Sequence, residues 1–142
     1  MSMSKKNVLF VCTHNAVRSQ MAEALLNHIC GDRYTAFSAG SDPTQMDPLI
    51  ISVMSEIGID VRHHRSKGVD VFKDSKLDYV VTVCDQAHES CPYFAGGNMR
   101  MHKSFSDPAK FQGKREDVIS EYRRIRDEIK EWIEKKFNQK NH

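Results

Sequence analysis

Apolar residues along this chain form short unbroken runs that alternate with longer segments of helical spacing. The first run, Val8 to Val11, is rich in β-formers and predicts a strand over Asn7 to Val11. The segment Arg18 to Ile29 carries apolar residues at three- and four-residue steps, which predicts a helix closed by Gly31. The amino-terminal part of the chain therefore predicts a strand, a loop and a helix.

The rest of the chain repeats this alternation. Tyr34 to Ser38 has the composition of a second strand, and Asp47 followed by Pro48 predicts the start of a helix that Gly58 ends. Leu77 to Val83 is apolar enough to be a buried strand of a parallel sheet. The remaining predicted elements are a short strand over Met99 to His102, a loop over Phe105 to Gln112 and an amphipathic helix from about Arg115 to Phe137. Together they predict an α/β fold with one doubly wound, four-stranded parallel sheet flanked by helices.

The loop between the first strand and the first helix begins with a cysteine and ends at an arginine six residues later. At such a junction several backbone N–H groups converge near the helix N-terminus, where negative charge is favoured. Arg18 adds a planar fork of donors, and the same positive field favours the thiolate form of Cys12. Cys12 is thus a candidate nucleophile beneath an oxyanion cradle. The candidate substrate-binding residues are Thr13, His14, Asn15, Ala16, Val17, Arg18 and Ser19.

Two polar residues of this segment have candidate supporting roles. Ser19, just inside the helix, is placed to hydrogen-bond the Cys12 sulfur. The Asn15 side chain is placed to hold the loop by bonding to backbone, as Asn commonly does in turns. A buried cysteine and an unrelated arginine at this spacing are the alternative interpretation.

Length and composition fit one domain. The 142 residues are 39% hydrophobic and 28% charged, which suffices to bury a core. We therefore expect a single catalytic domain over residues 1–142, with its core at 6–137 and a frayed tail at 138–142.

Charge and hydropathy narrow the classes of partner. The net charge of +2 is small and no basic cluster is interleaved with aromatic residues, so nucleic acid is not an expected partner. No apolar stretch approaches the roughly 18 residues of a membrane span, and residues 1–7 lead directly into a strand without a signal-peptide core. We expect a cytoplasmic monomer that has no membrane partner.

Two further cysteines follow the third predicted strand. Cys84 comes directly after it and Cys91 lies seven residues later in a polar segment. A rigid helix would hold these cysteines about 10 Å apart, so a disulfide between them requires the segment to unwind, which would make oxidation state a conformational switch. The alternatives are two unrelated cysteines, or a metal site in which His88 and Cys12 join the pair. Cys30, at the end of the first helix, has the pattern of a core residue.

A carboxylate completes the candidate chemistry. A thiolate that displaces oxygen from an oxyanion needs a general acid, because unprotonated oxygen is a poor leaving group. Asp107, before Pro108 in the loop after the fourth strand, is the candidate acid, with an ordinary Asp-Pro turn as the alternative. Surface or packing roles are expected for the remaining histidines considered, which are His14, His63, His64 and His102.

Taken together, these motifs resemble those of the thioredoxin-coupled arsenate reductases, which share the low-molecular-weight protein tyrosine phosphatase fold. The resemblance runs from about Lys6 to Phe137. The motifs that carry it are Val8 to Ala24 with Cys12, Asn15, Arg18, Ser19 and Glu23, then Phe37 to Gly40, Val83-Cys84 to Cys91-Pro92, and His102 to Ala109 with Asp107-Pro108.

The resemblance implies a three-cysteine relay. Cys12 would attack arsenate held by the phosphate-binding loop and Arg18, while Asp107 protonates the departing oxygen. Cys84 would then attack Cys12 and release arsenite, which leaves a Cys12–Cys84 disulfide. Cys91 would next attack Cys84, and thioredoxin, the electron donor, would reduce the resulting Cys84–Cys91 disulfide. Arsenic detoxification by this redox-active disulfide, with no tightly bound cofactor, is the implied function.

The chain departs from the family pattern at several positions. Val17 stands where some members have a further cysteine, and His14 stands where they have glycine. Some members bind potassium near positions matching Asn15, Glu23 and Ser38, but here Lys67 takes the place of a carboxylate ligand, which speaks against potassium.

Two other functions stay open at this point. A tyrosine phosphatase would use Cys12, Arg18 and Asp107 without needing the cysteine pair. Phosphatases of this fold usually carry an aromatic residue after the Asp-Pro pair, where this chain has Ala109, although a weak phosphatase side activity is expected. A thiol-based arsenic or metal sensor would use the three cysteines as ligands but leaves Arg18 and Asp107 without a role.

Overall fold

The computed structural model describes residues 5–85, 94 and 96–138. Its sheet has four parallel strands in the order β2-β1-β3-β4. The strands are β1 (Lys6–Cys12), β2 (Tyr34–Gly40), β3 (Tyr79–Thr82) and β4 (Met99–His102). The chain thus passes from β1 to one side of the sheet and then crosses to the other. This confirms the doubly wound, four-stranded parallel sheet, and β4 has its predicted bounds.

In the described part of the chain, three α-helices accompany the sheet. They are α1 (Arg18–Cys30), α2 (Pro48–Ser55) and α3 (Arg115–Lys136). The Asp47 side chain accepts from the backbone N–H of Leu49 and so caps α2, as predicted. Gly58 has a φ of 80°, a conformation in which glycine carries no steric penalty, and the chain turns there after the helix has ended. Two short 3-10 helices that were not predicted lie at Val69–Phe72 and Pro108–Lys110.

Two apolar clusters stabilise this arrangement. Val8 and Phe10 of β1 belong to the cluster that includes the buried residues of α1, α2 and α3. Leu9 and Val11 belong to a second cluster, which includes Phe72 of the first 3-10 helix. Because successive side chains of a strand point to opposite faces, β1 is buried on both sides and lies in the core of the fold.

The carboxyl ends of the strands meet at one edge of the sheet. β2 runs two residues beyond its predicted end because its last residue, Gly40, pairs with Cys12 at the end of β1. β3 is shorter than predicted and ends at Thr82, two residues before Cys84. Candidate chemistry from three strands therefore converges at this edge.

The predicted carboxyl-terminal tail lies only partly within the described residues. Asn138 lies within the described residues and its side-chain oxygen accepts a 2.6 Å hydrogen bond from Arg33, whereas the rest of the predicted tail lies outside them. Among the described residues, no helix combines the length and the apolar composition that a bilayer crossing requires.

Candidate active site

Cys12 lies at the floor of a pocket at the carboxyl edge of the sheet. This residue is the last of β1 and is only 2% exposed. The pocket has a volume of about 320 Å³. Its lining residues are Cys12, His14, Ala16, Val17, Arg18, Thr44, Gln45, Met46, Asp47, Pro48, Asp107 and Ala109. The candidate nucleophile and the Arg18 cation thus line one pocket.

The anion loop, residues 13–17, wraps around the Cys12 sulfur. The backbone N–H of Asn15 donates to Cys12 Sγ over 3.3 Å. Ser19 Oγ lies 2.9 Å from the same sulfur. These groups stabilise negative charge on sulfur, because each presents a proton to it. The structure thus brings Ser19 to the predicted position beside Cys12.

A hydrogen-bond chain fixes the direction of the Ser19 hydroxyl. Asn15 Nδ2 donates to Ser19 Oγ over 2.7 Å, so the hydroxyl proton is free to point to the Cys12 sulfur. Asn15 Oδ1 in turn accepts from the Lys67 backbone N–H at 2.8 Å and from Gln20 Nε2 at 2.9 Å. Asn15 therefore holds the loop with its side chain and aims the serine at the thiol.

Gly40 makes room for the anion loop. A Cβ atom at this position would lie 2.6 Å from the Thr13 carbonyl oxygen and 2.9 Å from the Asn15 nitrogen. Both neighbours are backbone atoms of the loop. Only glycine at the end of β2 therefore allows the loop to lie where it does.

Arg18 and Asp107 meet at the side of the pocket. Arg18 is 3% exposed, and its Nη1 donates to the Phe105 carbonyl over 3.1 Å. Its Nη2 lies 3.6 Å from Asp107 Oδ2. Asp107 Oδ1 accepts from the Ala109 N–H at 3.0 Å, so this residue caps a short 3-10 helix and also lines the pocket. Asp107 thus forms the Asp-Pro turn and also lies in the candidate site, because the turn places its carboxylate at the pocket.

The other predicted substrate-binding residues divide into pocket wall and support. Ala16 and Val17 line the pocket. The His14 side chain is 46% exposed at the pocket rim, with Nδ1 3.0 Å from the Asp42 carbonyl oxygen. The Thr13 carbonyl accepts from the Asp42 N–H at 2.8 Å and supports the loop from outside.

The described cysteines differ in state. Cys84 is fully buried and disulfide-bonded, whereas Cys12 and Cys30 are free thiols. Cys12 and Cys84 belong to the same core cluster. Cys30 is buried as predicted, and burial raises the pKa of its thiol, which makes it a poor nucleophile. Cys91 lies outside the described residues.

A half-buried charge cluster lies behind the loop. Glu23 Oε1 accepts from Ser38 Oγ at 2.5 Å and lies 3.9 Å from Lys67 Nζ. His64 Nδ1 lies 3.8 Å from Glu23 Oε2. Burial lowers the pKa of Lys67, while the Glu23 charge opposes that shift. Within the described part of the chain no three histidine, cysteine or acidic side chains come together to hold a metal ion, and His88 of the alternative metal site lies outside it.

Several contributors to the site were not predicted from the sequence. Gln20 and Phe105 act through hydrogen bonds to the loop and to Arg18, and neither carries a local signal of this. Asp47 was interpreted only as a helix cap, yet it also lines the pocket. Asp47 follows the anion loop in sequence only after α1 and β2, so its position beside the loop depends on tertiary packing and not on local spacing.

Comparisons with known proteins identify similar sequences and similar folds. The family model for low molecular weight phosphotyrosine protein phosphatase matches residues 7–141. An arsenate reductase of Halalkalibacterium halodurans is 40% identical over 127 residues, which cover 89% of this chain and 91% of that protein. A solved structure described as an arsenate reductase in the phosphate binding state superposes with a TM-score of 0.77 at 27% identity, over 92% of this chain and 95% of that one. The thioredoxin-dependent arsenate reductase Cg_ArsC1' of Corynebacterium glutamicum gives a TM-score of 0.64 at 30% identity, over 98% of this chain and 66% of that one.

Proposed function

Since the chain belongs to the low molecular weight phosphotyrosine protein phosphatase family, we propose that it uses the thiol of that fold to reduce arsenate to arsenite. The relatives at about 40% identity are named arsenate reductases. The observation that carries the proposal is the buried Cys12 sulfur, held between Ser19 and the Asn15 N–H at the floor of an open pocket. This arrangement suits attack on a small tetrahedral oxyanion.

The first step is a displacement at arsenic. The Cys12 thiolate attacks arsenate held by the loop N–H groups and by Arg18, so that a sulfur–arsenic bond forms and an arsenic–oxygen bond breaks. Asp107 gives its proton to the departing oxygen, which leaves as water. Asp107 lines the same pocket as Cys12, which supports this assignment. No electrons are transferred in this step.

The second step is the reduction. The thiolate of reduced Cys84 attacks Cys12 Sγ, a disulfide forms, and the sulfur–arsenic bond breaks with its electron pair left on arsenic. Arsenic(V) becomes arsenic(III), and the two thiols supply the two electrons. The shared core cluster of Cys12 and Cys84 supports this pairing.

The third step regenerates the nucleophile. Cys91 attacks Cys84, which frees the Cys12 thiolate and leaves a disulfide between Cys84 and Cys91. A thioredoxin dithiol then reduces that disulfide and is itself oxidised. The thioredoxin dependence named for the Corynebacterium glutamicum neighbour supports this partner. The cycle needs no tightly bound cofactor, and the Lys67 ammonium beside Glu23 takes the place of a potassium ion.

The same proposal covers cellular context. We propose that the protein acts as a monomer in the cytoplasm, where thioredoxin is kept reduced, and that its role is arsenic detoxification. Arsenite released there still has to leave the cell or be sequestered.

A phosphotyrosine phosphatase is the second candidate, and the family description favours it. The first step would be the same, with a phosphoryl group in place of arsenate. Among the described residues that line the pocket there is no phenylalanine, tyrosine or tryptophan to flank a phosphotyrosine side chain, and Ala109 follows the Asp-Pro pair. We therefore expect phosphatase activity only as a weak side reaction.

The decisive experiment measures arsenate-dependent NADPH oxidation with purified thioredoxin and thioredoxin reductase. Cys84→Ser should lower the rate to below about one hundredth, because the second step has no nucleophile. Cys30→Ser is the matched control, since Cys30 is equally buried but has no place in the relay, and it should keep the rate within about twofold. Vigorous phosphatase activity without NADPH oxidation would overturn the reductase proposal.

A further inference from the structure

Asp47 is a second carboxylate in the candidate active site. It lines the pocket together with Cys12, Arg18 and Asp107. Its backbone N–H also donates to the Ala16 carbonyl of the anion loop over 3.3 Å. Capping α2 accounts for only one of its carboxylate oxygens, so the cap does not explain the whole arrangement.

The second oxygen of Asp47 is held by helix α3. Oδ1 accepts from the Leu49 N–H at 3.0 Å, and Oδ2 accepts a short hydrogen bond from the Tyr122 hydroxyl. Both oxygens are therefore directed by donors from two different helices. The carboxylate cannot rotate without losing one of these bonds.

Tyr122 has the properties of a fixed donor. It is 2% exposed, although it carries a polar hydroxyl. Burial raises the pKa of Tyr122, and the negative charges of Asp47 and Asp107 raise it further. The hydroxyl thus keeps its proton across the physiological range and always donates to Asp47.

The charge of this second carboxylate affects the balance of charge in the pocket. Arg18, the buried cation of the pocket, already lies 3.6 Å from Asp107. Asp47 adds a further negative charge to the same wall. Among the described residues, the titratable and charged groups that face this region are Cys12 and His14 from β1 and the loop, Arg18 from α1, Asp107 from the loop after β4, and Tyr122 from α3. A bound anion therefore meets repulsion from Asp47 that rises with the charge of the anion.

We propose that Asp47, positioned by Tyr122, is a specificity-determining residue that favours the singly charged form of a tetrahedral oxyanion over the doubly charged form. The inference rests on the proposed binding of an oxyanion in the loop and goes beyond it by assigning the charge state that binds. Tyr122 is a positioning residue, because it acts through the Asp47 carboxylate.

The test uses inorganic phosphate, which has the shape of arsenate but is not reduced. Calorimetry would give its dissociation constant at about pH 5.5 and about pH 8.5, on either side of its second ionisation. Asp47→Asn should tighten binding about threefold at the lower pH and about tenfold at the higher pH, because the removed repulsion scales with ligand charge. Asn is also a good helix cap, so α2 should keep its start.

Two further variants complete the design. Asp32→Asn changes the net charge equally at the opposite edge of the sheet, where the side chain is 79% exposed, and should leave binding within about 1.5-fold at both pH values. Tyr122→Phe frees one oxygen of Asp47 and should weaken binding about twofold to fivefold. Combining Tyr122→Phe with Asp47→Asn should restore tight binding.

The outcomes separate this inference from the proposed function. If Asp47→Asn changes the dissociation constant of phosphate by the same factor at both pH values, or not at all, the Asp47 charge does not select the charge state of the anion. Unchanged binding in Tyr122→Phe would overturn the positioning role. Absence of phosphate binding by the unaltered protein at both pH values would overturn oxyanion binding itself, and with it this inference.

Discussion

At the scale of single residues, Asn15 shapes the site most directly. Its φ of 52° is in the left-handed region, which residues other than glycine rarely adopt and Asn tolerates better than most. Both functional groups of its amide are engaged, with Ser19, Gln20 and the Lys67 backbone as partners. Because these neighbours hold the strained conformation, the loop is assembled before any anion arrives.

Ser19 gives the first prediction at this scale. Ser19→Ala removes the hydroxyl that lies 2.9 Å from the Cys12 sulfur, so the attacking sulfur loses a hydrogen-bond partner. The rate of Cys12 alkylation by iodoacetamide at about pH 7 should fall about tenfold, as expected for one hydrogen bond to a charged group. Peptide mass spectrometry would follow the modified cysteine. Ser55→Ala, on the exposed side of α2, is the control and should not change the rate, and an equal rate in Ser19→Ala would contradict the assigned contact.

At the scale of elements, Glu56 joins the end of α2 to α3. Its carboxylate accepts from Arg123 at 2.7 Å and from Arg126 at 2.8 Å. Arg126 Nη1 also donates to the Val53 carbonyl over 2.8 Å, which provides a hydrogen-bond partner for a carbonyl group in the last turn of α2. Hydrogen bonds from Arg123 and Arg126 lower the pKa of Glu56 to about 2. The link therefore depends on an ionised carboxylate.

Glu56→Gln should lower the free energy of unfolding by about 1 kcal/mol at neutral pH, a modest value because the carboxylate is partly exposed. The pKa of Glu56 is lower in the folded protein than its ordinary value of 4.5. Its contribution is therefore complete above that value and is lost as the pH falls through 4.5 toward 2. Urea unfolding of both proteins would show a difference at about pH 7 that shrinks at about pH 3.

Asp74→Asn removes an exposed carboxylate and serves as the control for this series. Its free energy of unfolding should stay within about 0.5 kcal/mol of the unaltered protein at both pH values. A Glu56→Gln deficit that persists unchanged at low pH would show that charge is not what joins the helices.

Elements differ in how far local sequence predicts them. The periodicity of α3 and the Asp-Pro start of α2 are local signals, and both starts were predicted. The end of β2 was not, because Gly40 carries turn chemistry but is drawn into the strand by pairing with Cys12. The 3-10 helix at Val69–Phe72 is too short to show a period.

At the scale of the whole molecule, Phe137 joins α3 to the sheet. Its ring centroid lies 6.3 Å from that of Phe10, 5.2 Å from Tyr34 and 6.2 Å from Tyr79. Trp132 packs on it at 5.7 Å from the preceding turn of the helix. Rings from three strands thus meet the last turn of the longest helix, at the end of the sheet opposite to the pocket.

Phe137→Ala should lower the free energy of unfolding by about 3 to 5 kcal/mol, because it leaves a cavity among these rings. Phe111 offers a matched control, since its side chain is 42% exposed, and Phe111→Ala should cost less than about 1 kcal/mol. Urea denaturation of both variants measures the difference. Similar losses would show that α3 is not held to the sheet by this aromatic cluster.

The candidate site was predictable where its parts are adjacent in sequence or share a strand end. Cys12, Arg18 and Ser19 lie within eight residues, and Asp107 follows from the rule that sites lie beyond the carboxyl ends of parallel strands. The approach of Tyr122 to Asp47 spans 75 positions and depends on how α3 crosses the sheet. No local pattern encodes such a contact, so only the folded chain reveals it.

The close approach of Gly40 to the anion loop has a consequence for genetics. A single-nucleotide change that adds even a methyl group at this position would push on backbone atoms of the anion loop and displace its N–H groups. Such an allele would keep every chemically reactive side chain and yet behave as a null allele in a selection for the proposed detoxifying activity. Mutational surveys that score only reactive residues would classify this missense change as neutral. We expect instead that Gly40 tolerates substitution as poorly as Cys12.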